Sequence, residues 1–132
     1  MTDQPIGPIG EPLTLPNGTT VPLSPAYAVG KLIFLSGQLG FGADLKIVSG
    51  GIVEQTQQCL KNIESLLLEL GLGKTDIVKS TVWLVAKEDF QDFNKAYAEF
   101  FEDHRPARSC VCSGLLVDGA LIEIEVVATV KD

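Results

Sequence analysis

Two short stretches near the end of the sequence carry side chains that could do chemistry. In RPARSCVC, residues 105–112, Arg108, Cys110 and Cys112 fall on alternate positions; in LIEIEVVA, residues 121–128, Glu123 and Glu125 do the same. Both stretches read as β-strands, the first as a buried one, and alternate side chains of a strand share a face. Arginine is almost never fully buried without a partner, so something must sit opposite Arg108. Its planar fork suits two-point recognition of a carboxylate. That carboxylate is either a glutamate of the protein, making a structural pair that fixes a subunit contact, or part of a ligand. In the second case a nearby glutamate could orient or deprotonate a water. Cys110 offers a thiol, but the only histidine, His104 in EDHRP, occupies a helix-exit position and reads as a solvated surface group. Cys110 and Cys112 therefore read as small buried hydrophobes.

An Asp118-Gly119 pair in VDGA gives a hairpin signal between strands expected over 107–114 and 121–130. With a two-residue loop, Val117 pairs with Ala120 and Arg108 falls on the face of Glu123 and Glu125. The same register sets Arg108 opposite Thr129, about 20 Å along the strand from Glu123 at roughly 3.3 Å per residue. A wider loop, a bulge, or a meeting of Arg108 of one subunit with Glu123 of another would each bring them together.

The elements that must position these residues are legible upstream. Residues 1–21 hold most of the prolines and predict an irregular lead-in with some extended structure, with a turn at PNGTT. AYAVGKLIFLSGQ reads as two short strands around Gly30-Lys31, and residues 40–51 as a loop. Leu60, Ile63, Leu67 and Leu70 predict a helix over 53–70, stopped by Gly71. TDIVKSTVWLV is rich in β-branched residues and reads as a strand. Phe90, Phe93, Tyr97, Phe100 and Phe101 form one stripe of a second helix over 87–102, read as core. The order β-β-α-β-α-β-β, with room for one more strand at the start, predicts a single α+β domain over 1–132, with both helices on one face of a mixed sheet. The apolar set Ile122, Ile124, Val126, Ala128 and Val130 should face the helices. The opposite face, with Lys79, Thr81, Trp83 and Val85, is too apolar to be simply wet, which predicts a homo-oligomer.

Composition narrows the classes. No apolar run reaches membrane-spanning length, and the start of the sequence lacks the basic-then-apolar pattern of an export signal, so the expected location is cytoplasmic. Three cysteines at uneven spacing suit reduced thiols, with no zinc-ligand spacing among them, and Cys59 reads as core or helix surface. A net charge of −7 argues against a nucleic-acid partner.

RPARSC and LIEIEVVA together resemble the signature of the Rid family, the reactive intermediate deaminases, also called YjgF-type proteins. LIFLSGQL, VEQTQQCLKNIESLLLELG, DIVKSTVWL and FNKAYAEFF follow the family's order, so the resemblance spans about residues 22–130. It implies a chorismate-mutase-like α+β fold and a homotrimer whose sheets form an inner barrel, with sites in the clefts between subunits. It implies hydrolytic deamination of enamine and imine intermediates of the 2-aminoacrylate type to 2-oxo acids and ammonia, without a cofactor or metal. Carried over residue by residue, Arg108 clamps the substrate carboxylate and Glu123 positions the hydrolytic water and handles protons. Cys110, Ser36, Gly37, Gln38 and Asn94 line the pocket. The chain departs from the family where VPLSPAYA puts Leu23 in place of a pocket tyrosine and Pro25 in place of a glutamine. The loop after SGQ and Cys112 depart as well. Leu23 makes that wall more apolar and predicts a preference for bulkier side chains. Two other functions compete: a non-catalytic module that binds small carboxylates such as 2-oxo acids, and an RNA-cleaving activity, an older label in the family, which the acidic chain and the lack of a basic aromatic patch disfavour.

Overall fold

The computed structural model describes residues 6–131. Residues 1–5, part of the expected lead-in and of the segment read for an export signal, lie outside the described residues, as does Asp132. The elements follow the predicted order, with the extra first strand it allowed for and one short strand it did not include. Strand β1 (Gly7–Ile9) lies within the lead-in and is followed by β2 (Ala26–Val29) and β3 (Leu32–Leu35), which turn about Gly30. A two-residue strand, β4 (Gln38–Leu39), precedes helix α1 (Ile52–Glu69). Then come β5 (Ile77–Leu84), helix α2 (Phe90–Phe101), β6 (Ala107–Cys112) and β7 (Ile122–Thr129).

Helix α1 forms where the apolar spacing predicts it, and buries Ile52, Thr56, Cys59, Leu60, Ile63 and Leu67 along one stripe. At its start the Glu54 carboxylate accepts a hydrogen bond from the Gly51 N–H at 2.8 Å, and backbone hydrogen bonds hold that carboxyl below its ordinary range. At its end Gly71 takes a positive φ of 76°. This lets the Leu72 and Gly71 N–H groups return to the carbonyls of Leu67 and Leu68, at 2.8 and 3.1 Å, closing the last turn. Buried Gln55 ties the helix to the end of the chain: its amide donates to the Gly119 carbonyl and its side-chain oxygen accepts from the Leu121 N–H.

The sheet corrects the hairpin expectation. Its order is β1-β2-β3-β7-β5-β6, with β4 also paired to β7. Strands β6 and β7 do not pair; β5 lies between them, parallel to β6 and antiparallel to β7. Residues 117–120 do make a turn, with Ala120 N–H bonded to the Val117 carbonyl at 3.1 Å and Gly119 at φ 83°. That turn steers the chain across the end of β5 rather than into a hairpin. The physical reason is the β5-α2-β6 unit. A helical crossover returns the chain parallel to the strand it left, so β6 takes the outer flank of β5 and leaves the inner flank to β7. As the edge strand, β6 is also more exposed than the buried strand expected.

Both helices pack on one face, over Ala26, Ala28, Ile33, Leu35, Val82, Leu84, Ile122, Ile124, Val126 and Ala128. The opposite face exposes Tyr27, Val29, Leu32, Phe34, Val85 and Val111, each between 38% and 46% accessible. Register places Tyr27 beside Phe34 and Phe34 beside Val127, so these form a continuous apolar surface rather than scattered side chains.

Candidate active site

The corrected topology moves Arg108. Ser80 pairs with Arg108 on one side and with Val126 on the other, whereas Trp83 pairs with Val111 and Glu123. Paired residues share a face, so Arg108 lies on the helix side of the sheet and Glu123 and Glu125 on the open side. The shared face expected for them does not occur within one chain.

What Arg108 meets instead is helix α2. Its Nη1 donates to Asn94 Oδ1 at 2.9 Å, and its guanidinium carbon lies 5.9, 5.2 and 4.9 Å from the ring centroids of Phe90, Phe93 and Tyr97. The rings are held in turn. Phe93 is fully buried, and the Tyr97 hydroxyl shares a 2.7 Å hydrogen bond with the buried Ser80 hydroxyl. Burial is the main cause that pushes the Tyr97 phenol up, so it stays a neutral hydroxyl. Ring faces stabilise a cation by up to about 2 kcal/mol where water is excluded. They do so without the lone pairs of a carboxylate, so most of the arginine's donors stay unspent. Among the described residues no carboxylate pairs with Arg108. A cleft of about 350 Å³ opens on it, with Asn94, Tyr97, Phe101, His104 and Pro106 in its walls.

The aromatic stripe therefore has two roles where the sequence showed one. Phe93, Tyr97 and Phe101 are core as expected, but Phe90 is exposed and helps to wall Arg108. Spacing held the missed signal: Phe90, Phe93 and Tyr97 flank Asn94 on one helical face. His104 is likewise less free than a surface group, since its Nε2 lies 2.7 Å from the Ile77 carbonyl.

Glu123 has a different setting. Leu39 and Trp83 flank it across the sheet, and its carboxylate rests against the backbone of Gly37. A side chain at Gly37 would run into that carboxylate, its Cβ 3.1 Å from the carboxyl carbon and nearer still to one oxygen. Partial burial first, and the charge of Glu125 second, raise the Glu123 pKa above its ordinary value. Lys79, on the same face, is engaged with the Ser109 hydroxyl at 2.9 Å. The loop before β2 closes this region. Ser36 Oγ donates to the Ser24 carbonyl at 2.6 Å and the Ser36 N–H to the Pro25 carbonyl at 2.9 Å, and Gln38 Nε2 reaches the Ser36 carbonyl at 3.3 Å. Leu23, adjacent to Ser24, is largely exposed. Tyr27 stands on the open face beside Phe34.

The expected site residues thus form two groups. Arg108, Asn94 and Cys110 gather at the β6 edge on the helix side; Glu123, Ser36, Gly37, Gln38 and Leu23 gather around β4 and the start of β7. The cysteines also separate. Cys59 is core, its thiol pushed up to about 12 mainly by burial. Cys110 is half-buried and Cys112 exposed, against the expectation that both are buried, because the edge position of β6 leaves them uncovered.

A family model described as Endoribonuclease L-PSP matches residues 16–130. The chain belongs to this family. Several similar solved structures carry the Rid or YjgF name. A protein of the conserved Rid family from Yersinia pestis is 39% identical, with a TM-score of 0.78 over 83% of this chain and 88% of that one. The YjgF gene product of E. coli is 33% identical, with a TM-score of 0.77 over 83% and 89%. Among curated relatives, the human protein named 2-iminobutanoate/2-iminopropanoate deaminase is 38% identical over 112 residues, 84% of this chain and 82% of the relative. The yeast protein HMF1 is 38% identical over 109 residues, 83% and 84%. The mixed sheet with two helices is the Rid fold that the resemblance implied. No helix among the described residues is long and apolar enough to cross a membrane.

Proposed function

We propose that this Rid protein hydrolyses reactive 2-imino acids, formed from enamines of the 2-aminoacrylate type, to 2-oxo acids and ammonia. The observation that carries this reading is an arginine held by Asn94 and three aromatic faces, paired with no carboxylate among the described residues and opening on a cleft. The names of relatives such as the human and goat deaminases support the reaction class.

In this reading Arg108 takes the substrate carboxylate and fixes the imine carbon. Glu123 accepts a proton from water as the water oxygen adds to that carbon and returns it to nitrogen, giving a carbinolamine; it then takes the hydroxyl proton and passes it to the same nitrogen, so that ammonia leaves and a carbonyl forms. The imine carbon is already electrophilic, so orientation supplies most of the help. A carboxyl with a raised pKa suits the return of the proton. Cys110 stands two residues from Arg108 on the same strand face and lines an adjacent depression with Phe90. Arg108 and Glu123 stand on opposite faces of one sheet, so the complete site forms where the helix-side edge of one subunit meets the open face of another. The exposed apolar face supports such an assembly, a homotrimer by family resemblance. Imines generated by an amino-acid oxidase and trapped with semicarbazide test the reaction. The protein should lower the trapped yield and Arg108→Ala should not; equal yields with wild type, variant and no protein overturn it.

The family resemblance favours a second reading, a carboxylate-binding module without turnover, because it sets Leu23 in place of a pocket tyrosine. Calorimetry with a 2-oxo acid separates the two. Binding that survives Glu123→Gln, with no turnover by the wild type, selects the module. The family description also names an endoribonuclease. The charge of −7 weighs against RNA binding, and RNA cleavage abolished by Arg108→Ala would reverse that judgement.

A further inference from the structure

Helix α1 carries three polar side chains on one face, Gln55, Cys59 and Asn62, at i, i+4 and i+7. The first two are buried. All three reach backbone outside the helix. Gln55 donates to the Gly119 carbonyl at 3.0 Å and accepts from the Leu121 N–H at 2.8 Å. The Cys59 thiol lies 3.4 Å from the Gln38 carbonyl and 3.9 Å from that of Ile122. The Asn62 amide donates to the Leu39 and Phe41 carbonyls at 3.2 and 3.0 Å. Its oxygen accepts from Gln58 Nε2 at 2.9 Å, which fixes the way the amide points.

These backbone groups surround one residue. Leu121 and Ile122 lead into Glu123, Leu39 pairs with Glu123 across the sheet, and Gln38 follows Gly37, the backbone on which the Glu123 carboxylate rests. Strand β4 is only 2 residues long, against about 5–6 for a typical strand, so its ladder to β7 supplies few hydrogen bonds. Helix α1 lies tight on the same segment: a Cβ at Gly40 would stand 3.2 Å from the Cα, Cβ and carbonyl oxygen of Gln55.

We propose that Gln55, Cys59 and Asn62 are positioning residues for Glu123, holding β4 against the start of β7 so that the carboxylate keeps its place beside Gly37. They work from the helix side of the sheet, while Glu123 acts on the open side. Core packing alone asks for volume at these positions; positioning asks for hydrogen-bonding groups. Cys59→Ala and Cys59→Ser leave nearly the same space, but only serine keeps a donor. Gln55→Leu and Asn62→Leu keep the bulk and lose the hydrogen bonds.

The kinetic effect rests on the deaminase reading, so a second readout accompanies it. Cys59→Ala, Gln55→Leu and Asn62→Leu should each lower kcat for imine hydrolysis by about 10-fold with KM within about 2-fold, and Cys59→Ser should stay near the wild type. In protein labelled with carbon-13 at glutamate carboxyls, magnetic resonance follows the Glu123 titration directly. It should lie above 4.5 in the wild type and in Cys59→Ser, and move towards 4.5 in the other three variants as the seat loosens and the carboxylate regains water. Glu125 on β7 and Lys79 on β5 stand on the same face in every variant, so the change reports position. Equal behaviour of Cys59→Ala and Cys59→Ser overturns the proposal, as does a Glu123 titration that none of the substitutions moves. No turnover by the wild type overturns the deaminase reading alone, and the titration then decides. Should either leucine variant fail to fold by circular dichroism, the Cys59 pair decides.

Discussion

The β6 edge and the start of β7 each carry an ionisable group that the proposed reaction uses, and they hold it by opposite means. Arg108 is held by π faces and one amide, which stabilise its charge while leaving donors to spare. Glu123 is pressed against a glycine backbone and kept near a second carboxylate, which makes its charge costly. The first arrangement prepares a cation to receive an anion. The second prepares an acid to trade a proton. The contrast teaches that one sheet can hold a cation ready on one face and keep a carboxylate's charge costly on the other.

Arg108→Ala tests the receiving half and should have the largest effect, lowering kcat/KM for imine hydrolysis by about 1,000-fold through loss of a two-point charged contact. Arg108→Lys should recover only a small part, because a point charge cannot replace the fork. Next, Glu123→Gln should lower kcat by about 100-fold and leave 2-oxo acid affinity nearly intact by calorimetry; a loss of affinity instead would place Glu123 in binding rather than proton transfer. Gly37→Ala, which drives the carboxylate off its backbone seat, should lower kcat by about 10-fold and cost about 1–3 kcal/mol of stability in a denaturant titration. Tyr97→Phe should keep the ring under Arg108 but leave the Ser80 hydroxyl alone in the core. A stability loss of about 1–2 kcal/mol with kcat unchanged is expected, whereas Tyr97→Leu should also raise KM.

The smallest effect concerns pH. A carboxyl whose folded-state pKa is raised contributes stability that is full below its unfolded pKa, near 4.5, and lost as pH rises through the raised value. Glu123→Gln removes that dependence. The variant should therefore melt above the wild type at neutral pH, and the gain should vanish below about pH 4.5. An equal shift at both pH values would show that the charge of Glu123 is not what the fold resists.

Much of this was readable before any coordinates. The helix over 52–69 follows from the spacing of Leu60, Ile63 and Leu67 and from the Gly71 stop, both local signals. The apolar alternation in β7 named its buried face correctly. Arg108, Glu123 and Asn94 were identifiable as candidates through their motifs. The failure lay in the face assigned to Arg108. Counting parity through Asp118-Gly119 assumes that the two strands flanking the turn pair with each other, and here they do not. The aromatic support of Arg108 was hidden for a related reason, since an amphipathic stripe looks the same whether it faces aliphatic core or a guanidinium.

The sequence by itself determined which segments are helix and strand, which side chains are apolar enough to fill the core, and which few could do chemistry. These depend on periodicity and residue type, which are properties of neighbours along the chain. Only the tertiary structure decided that β5 separates β6 from β7. That order put Arg108 against α2 and Glu123 against Gly37, and left Cys110 and Cys112 on an open edge. Strand partnership is a contest between distant segments for the same hydrogen-bonding flank, and the helical crossover of α2 decided it.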